Sequence, residues 1–175
     1  MLLLRLLPAA VALLLGACAS VDQYLPTTGD FRSTKGPARV KIDLSEQRAY
    51  LYKSGDLVTS TRVSTGKAGH RTPTGSFKIT QKNRDHCSSL YGDYVNSSGR
   101  IVKANVDVRK DRKPKGAHYR GASMPYFMRF NGSIGMHAGN VPDSPASHGC
   151  VRLPPRMART FYKHVSVGSP VRVVP

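Results

Sequence analysis

Ser147-His148-Gly149-Cys150-Val151-Arg152 places an imidazole, a thiol and a guanidinium within six consecutive residues. A cysteine attacks carbonyl carbon as its thiolate, and a neighbouring histidine that takes the proton is a common way to form one. His137 stands thirteen residues before Cys150, behind Ile134-Gly135-Met136, a separation that one short loop can close. Gly149 lets the backbone turn sharply and approach a ligand with no side chain in the way. Other readings of these residues stay open at this point. His137, His148 and Cys150 are enough for a zinc ion with a water in its fourth position, although the block holds no carboxylate to act as base. Cys150 could also be a structural thiol, or half of a disulfide with Cys87 in an oxidising compartment.

The elements that must position these groups read as strands. Arg39-Val-Lys-Ile-Asp-Leu44 alternates apolar and polar residues, and a Ser-Glu-Gln turn separates it from Ala49-Tyr50-Leu51-Tyr52. Leu57 to Val63 is rich in β-branched residues, and Ser76 to Thr80 reads as a further strand after a glycine-rich loop. Gln81 to Gly121 is polar and reads as an irregular lid or rim, with weak strand candidates at Tyr94-Val95 and Ile101–Val106. Met124–Phe130 and Ile134–Met136 flank Asn131-Gly132-Ser133, and Asn-Gly between apolar runs signals a hairpin. Pro154 and Pro155 suit a first helical turn. Met157, Phe161 and Val165 repeat every four residues along one face, with Gly168 as the expected stop. Val171–Val174 closes the chain as a strand. The expected fold is mainly β with one short C-terminal helix. His70 and His118 are further candidates for the cleft.

The N-terminus carries a different message. One positive charge, Arg5, precedes an apolar stretch from Leu6 to Ala17, which describes a secretory signal rather than a spanning helix. Leu15-Gly16-Ala17-Cys18 resembles a bacterial lipoprotein processing box, which implies a lipid on Cys18. The expected organisation is a signal peptide at 1–17, a lipidated cysteine and flexible tether at 18–37, and one folded domain at 38–175. Net charge is +17 with a single glutamate, Glu46. The basic residues are scattered rather than massed, so anionic envelope material is a better expected partner than nucleic acid.

Taken together, residues 38–175 resemble the L,D-transpeptidase (YkuD-type) catalytic domain of bacterial cell-wall enzymes. The resemblance rests on Thr72-Pro73-Thr74-Gly75, on Met124-Pro-Tyr-Phe-Met-Arg-Phe130, and on His137 followed by the Ser147–Arg152 block. It implies a β-sandwich of the L,D-transpeptidase type and no cofactor or metal. It implies Cys150 as nucleophile and His137 as the base that keeps it a thiolate, with the Ala138 carbonyl orienting His137. His148, Gly149 and Cys150 then form the turn whose N–H groups would hold an oxyanion, Ser147 joins them in the oxyanion and substrate-binding set, and Arg152 would anchor a substrate carboxylate. The expected substrates are peptidoglycan stem peptides, attacked through a thioester for wall cross-linking or remodelling. An L,D-carboxypeptidase using water as acceptor, and a non-catalytic wall-binding lipoprotein, are the alternatives. The expected location is the exported envelope, lipid-anchored, facing the periplasm in a two-membraned bacterium. Nine residues separate His137 from Ser147, a shorter loop than in some branches of the family.

Overall fold

The computed structural model describes residues 36–175. The expected signal peptide, Cys18 and all but the last two residues of the tether lie outside the described residues.

Strand β1 (Ala38–Asp43) buries Ala38, Val40 and Ile42 and turns Arg39 outward, as its alternation dictates. It pairs antiparallel with β2 (Arg48–Lys53), which pairs with β3 (Asp56–Arg62). On its other side β1 runs parallel to the last strand, β10 (Pro170–Val174), which in turn holds β4 (Gly75–Lys78). The first sheet therefore has the order β3-β2-β1-β10-β4.

The second sheet has the order β6-β5-β7-β8-β9. Its long members are β5 (Gln81–Val95) and β7 (His118–Asn131), flanked by β6 (Ile101–Asp107) on one side. On the other side lie β8 (Ile134–Ala138) and β9 (Val151–Leu153), the latter parallel to β8. The stretch expected to be an irregular lid is thus mostly regular sheet. A register shift between Cys87 and Gly92 breaks its alternation and hides the strand period. Ser88 Oγ accepts the N–H groups of Leu90 and Tyr91 at 3.2 and 3.0 Å, which closes the bulge. The facing Gly121 has to be small there, since a Cβ would lie 2.1 Å from the Ser88 carbonyl oxygen.

The core lies between the sheets. Val40, Ile42 and Leu51 from the first sheet meet Met128, Phe130, Met136, Val151 and Leu153 from the second. Helix α1 (Pro155–His164) covers one end and buries Ala158 and Phe161. It starts with proline at its first position, as expected, but stops earlier than the apolar spacing suggested. Val165 is already extended, and Gly168 serves the following turn instead. Lys82 of β5 explains the stop: its Nζ donates to the carbonyls of Tyr162 and Val165, both at 2.7 Å, which satisfies groups a helix end leaves open.

Candidate active site

The second sheet sorts its residues by face. Met128 and Phe130 of β7, Met136 and Ala138 of β8, and Val151 and Leu153 of β9 point into the core. The alternate positions open on a cleft of about 450 Å³ lined by His86, Arg129, His137, His148, Cys150 and Arg152, among others. The expected nucleophile, base and carboxylate anchor therefore meet in one cavity, with Ser147 and Ala138 also on its wall. Register accounts for part of this, because His137 on β8 lies directly beside Arg152 on β9.

His137 is only 6% exposed, and its Nδ1 lies 2.8 Å from the Ala138 carbonyl oxygen. That contact requires the proton on Nδ1 in the neutral ring and leaves the Nε2 lone pair available. Burial lowers its pKa to about 4, with Arg152 and His86 adding to the effect against the contact to Ala138. Burial also raises the Cys150 thiol above its usual range, against the Gly135 N–H and the charges of Arg152 and Arg129. Both shifts run against the resting thiolate that the resemblance implies. A low-polarity wall disfavours both charges and so favours thiol and imidazole over the ion pair.

The loop that carries Cys150 is stitched to the first sheet's connections. Ser64 exchanges backbone hydrogen bonds with Arg152 at 3.0 and 2.9 Å, and Lys67 N–H donates to the Ser147 carbonyl at 3.0 Å. Buried Thr72 accepts the Gly66 N–H at 3.0 Å and donates to the Gly149 carbonyl at 2.8 Å. Gly149 holds a φ of +115°, a conformation that strains any side-chain-bearing residue. The turn is closed from inside: Ser147 Oγ donates to the Cys150 carbonyl and accepts the Gly149 N–H at 3.0 Å. Gly149 N–H is therefore already engaged, which corrects its expected place among the oxyanion donors.

The lid side reaches the same loop through rings. Tyr91, thrown out by the β5 bulge, stacks on His148 with centroids 4.4 Å apart, and His70 meets His148 edge-on at 4.8 Å. Arg109 grips the Tyr91 hydroxyl at 2.7 Å and Asp107 through two bonds, so Asp107 is held down to about 2. Neither His70 nor exposed His118 lines the cleft.

Sequence reasoning missed His86. Its ring stacks on Phe127 at 4.2 Å, and burial lowers its pKa. The signal was available only to a reading of 81–95 as a strand, where His86 and Ser88 share the cleft face and Cys87 does not. Cys87 is exposed and Cys150 half-buried, and both are free thiols. Among the described residues no three His, Cys, Asp or Glu side chains converge to hold a metal ion.

Comparisons with known proteins agree with this architecture. The chain is 31% identical over 125 residues to L,D-transpeptidase 1 of Mycobacterium tuberculosis, covering 70% of this chain and 44% of that protein's length. A solved L,D-transpeptidase from Stackebrandtia nassauensis superposes with a TM-score of 0.59 at 24% identity, over 90% of this chain and 62% of the other. One from Xylanimonas cellulosilytica gives 0.59 at 22% identity, over 86% and 65%. LdtMt1, solved in complex with imipenem, gives 0.59 at 21%, over 79% and 59%. At these identities the structures speak for the fold. Residues 37–173 match the family described as the L,D-transpeptidase catalytic domain, and with that match running from before β1 into β10, this chain belongs to the YkuD family.

Proposed function

We propose that this chain is a cysteine-dependent L,D-transpeptidase acting on peptidoglycan stem peptides. The observation that carries the proposal is the convergence of Cys150, His137 and Arg152 on one cleft, with the His137 Nδ1 occupied by the Ala138 carbonyl.

His137 Nε2 takes the thiol proton as Cys150 Sγ bonds to the carbonyl carbon that joins an L-centre to a terminal D-residue. The pair becomes charged only as polar groups of the substrate take the place of the water they displace. The Cys150 N–H, with a second donor from the Gly135 N–H beside the sulfur, holds the oxyanion; one such donor contributes ~3–4 kcal/mol in other enzymes. The carbon–nitrogen bond breaks, the D-residue leaves with the proton from His137, and a thioester remains. An amine of a second stem peptide attacks it, and His137 receives the proton released. Arg152 anchors the terminal carboxylate of the donor, a pairing that a planar fork makes bidentate.

The signal-like N-terminus and Cys18 support an exported, lipid-anchored protein facing the wall, and the +17 charge suits anionic envelope material. The test is intact-mass analysis of the purified protein after incubation with a stem tetrapeptide. An acyl adduct lost in C150A supports the proposal, and a folded, reduced protein that forms none refutes it. Adding an amine acceptor separates transpeptidation from hydrolysis.

A further inference from the structure

The cleft carries a second guanidinium that thiol chemistry does not require. Arg129 stands two residues after Phe127 on the cleft face of β7 and lines the same cavity as Arg152. Its Nε donates to Gln81 Oε1 at 2.8 Å and its Nη1 to the Gly132 carbonyl at 2.9 Å. Those bonds use two of five N–H donors and leave three. They also fix the plane of the fork, so little side-chain freedom is lost when a ligand arrives.

Neither arginine has a carboxylate partner among the described ion pairs. The one acid on the cleft wall, Asp93, lies 3.4 Å from Arg120 and accepts the Asn105 N–H at 3.0 Å. Register sets the spacing of the pair. Arg129 faces Gly135 and Arg152 faces His137, so the two lie two strands and two residues apart. With strands ~4.8 Å apart and ~3.3 Å per residue, their Cα atoms are separated by about 12 Å. Arg129 faces Gly135, whose N–H lies beside the Cys150 sulfur, and Arg152 stands two residues after Cys150.

We propose that Arg129 is a second carboxylate subsite, and that the donor peptide carries two free carboxylates. One belongs to the departing D-residue and meets Arg152; the other sits on the side chain of the residue whose carbonyl is attacked, and meets Arg129. The proposal rests on the stem-peptide reading above and narrows it to acidic donors. A peptide whose side-chain carboxylate is amidated loses the charge-assisted bond and is acylated less efficiently.

Two tetrapeptide donors that differ only in that group, carboxylate or carboxamide, test it through kcat/KM for adduct formation on Cys150. The wild-type protein is expected to prefer the acid by about tenfold or more. R129Q brings the ratio close to one and R129K gives an intermediate value. Using the ratio cancels any change that Arg129 makes to thiol reactivity. A wild-type protein without preference, or a folded R129Q or R129K with the wild-type ratio, overturns the subsite. Failure of both donors to acylate Cys150 would instead overturn the enzymatic reading on which it rests.

Discussion

The Nδ1 of His137 lies 2.8 Å from the carbonyl oxygen of Ala138, so the base is oriented by its own chain neighbour. Among the described residues no carboxylate takes that role, and the tautomer is set by backbone that moves with the ring. Replacing His137 with glutamine is expected to slow thioester formation by roughly 10²–10⁴, the usual range for a lost general base. Single-turnover mass spectrometry measures this; a loss of only a few fold would remove His137 from the chemistry.

The burial of both groups has a measurable pH signature. Alkylation of Cys150 by iodoacetamide is expected to rise through the alkaline range, above that of an ordinary thiol, because burial raises its pKa. An ion pair would instead give a reactive plateau from mildly acidic pH upward. Observing that plateau in the substrate-free protein would show that thiolate and imidazolium coexist at rest.

Burial of His137 also links stability to acid. Between its ordinary pKa of 6.5 and its lowered value of about 4, the unfolded chain binds a proton there that the folded chain refuses. Stability is fully present above 6.5 and falls as pH drops through this window, by about 3 kcal/mol from this group. H137Q removes that part of the slope. Urea titrations across pH 7 to 4 would give a flatter dependence for the variant, and parallel curves would contradict the assignment.

Much of the architecture could be read directly in the chain. The β1–β2 hairpin, the Asn131–Ser133 turn and the proline-led helix all follow from local pattern, since each is stabilised mainly by neighbours in sequence. The Cys150 block was also legible because its residue types are chemically specific. What could not be read depended on partners far along the chain. Helix α1 ends where Lys82 reaches its carbonyls, and nothing near Val165 announces that. The bulge at Ser88 erases the period of β5, which concealed both the strand and the place of His86 on the cleft wall. The engagement of Gly149 N–H by Ser147 Oγ was equally invisible, because Ser147 looked like a recognition residue rather than a brace.

Thr72 offers a test of how the nucleophile loop is held. Its hydroxyl serves Gly66 N–H and Gly149 C=O together, both in buried surroundings. T72V keeps the shape and strips both partners, at an expected cost of about 2–4 kcal/mol. T72S retains the hydroxyl and should cost much less. Chemical denaturation compares them; equal stability of the two variants would show that the loop does not depend on this bridge.

Strand β10 lies between β1 and β4, and only β10 pairs with β4 in the first sheet. That sheet cannot close until residue 174 is available, and the connection from Ser64 to Gly66 that aligns the Cys150 loop hangs from it. The brace on the thiol loop therefore depends on two segments far apart in sequence, β1 and β10. The reactive loop is thus only as firm as a strand pair that never touches the cleft.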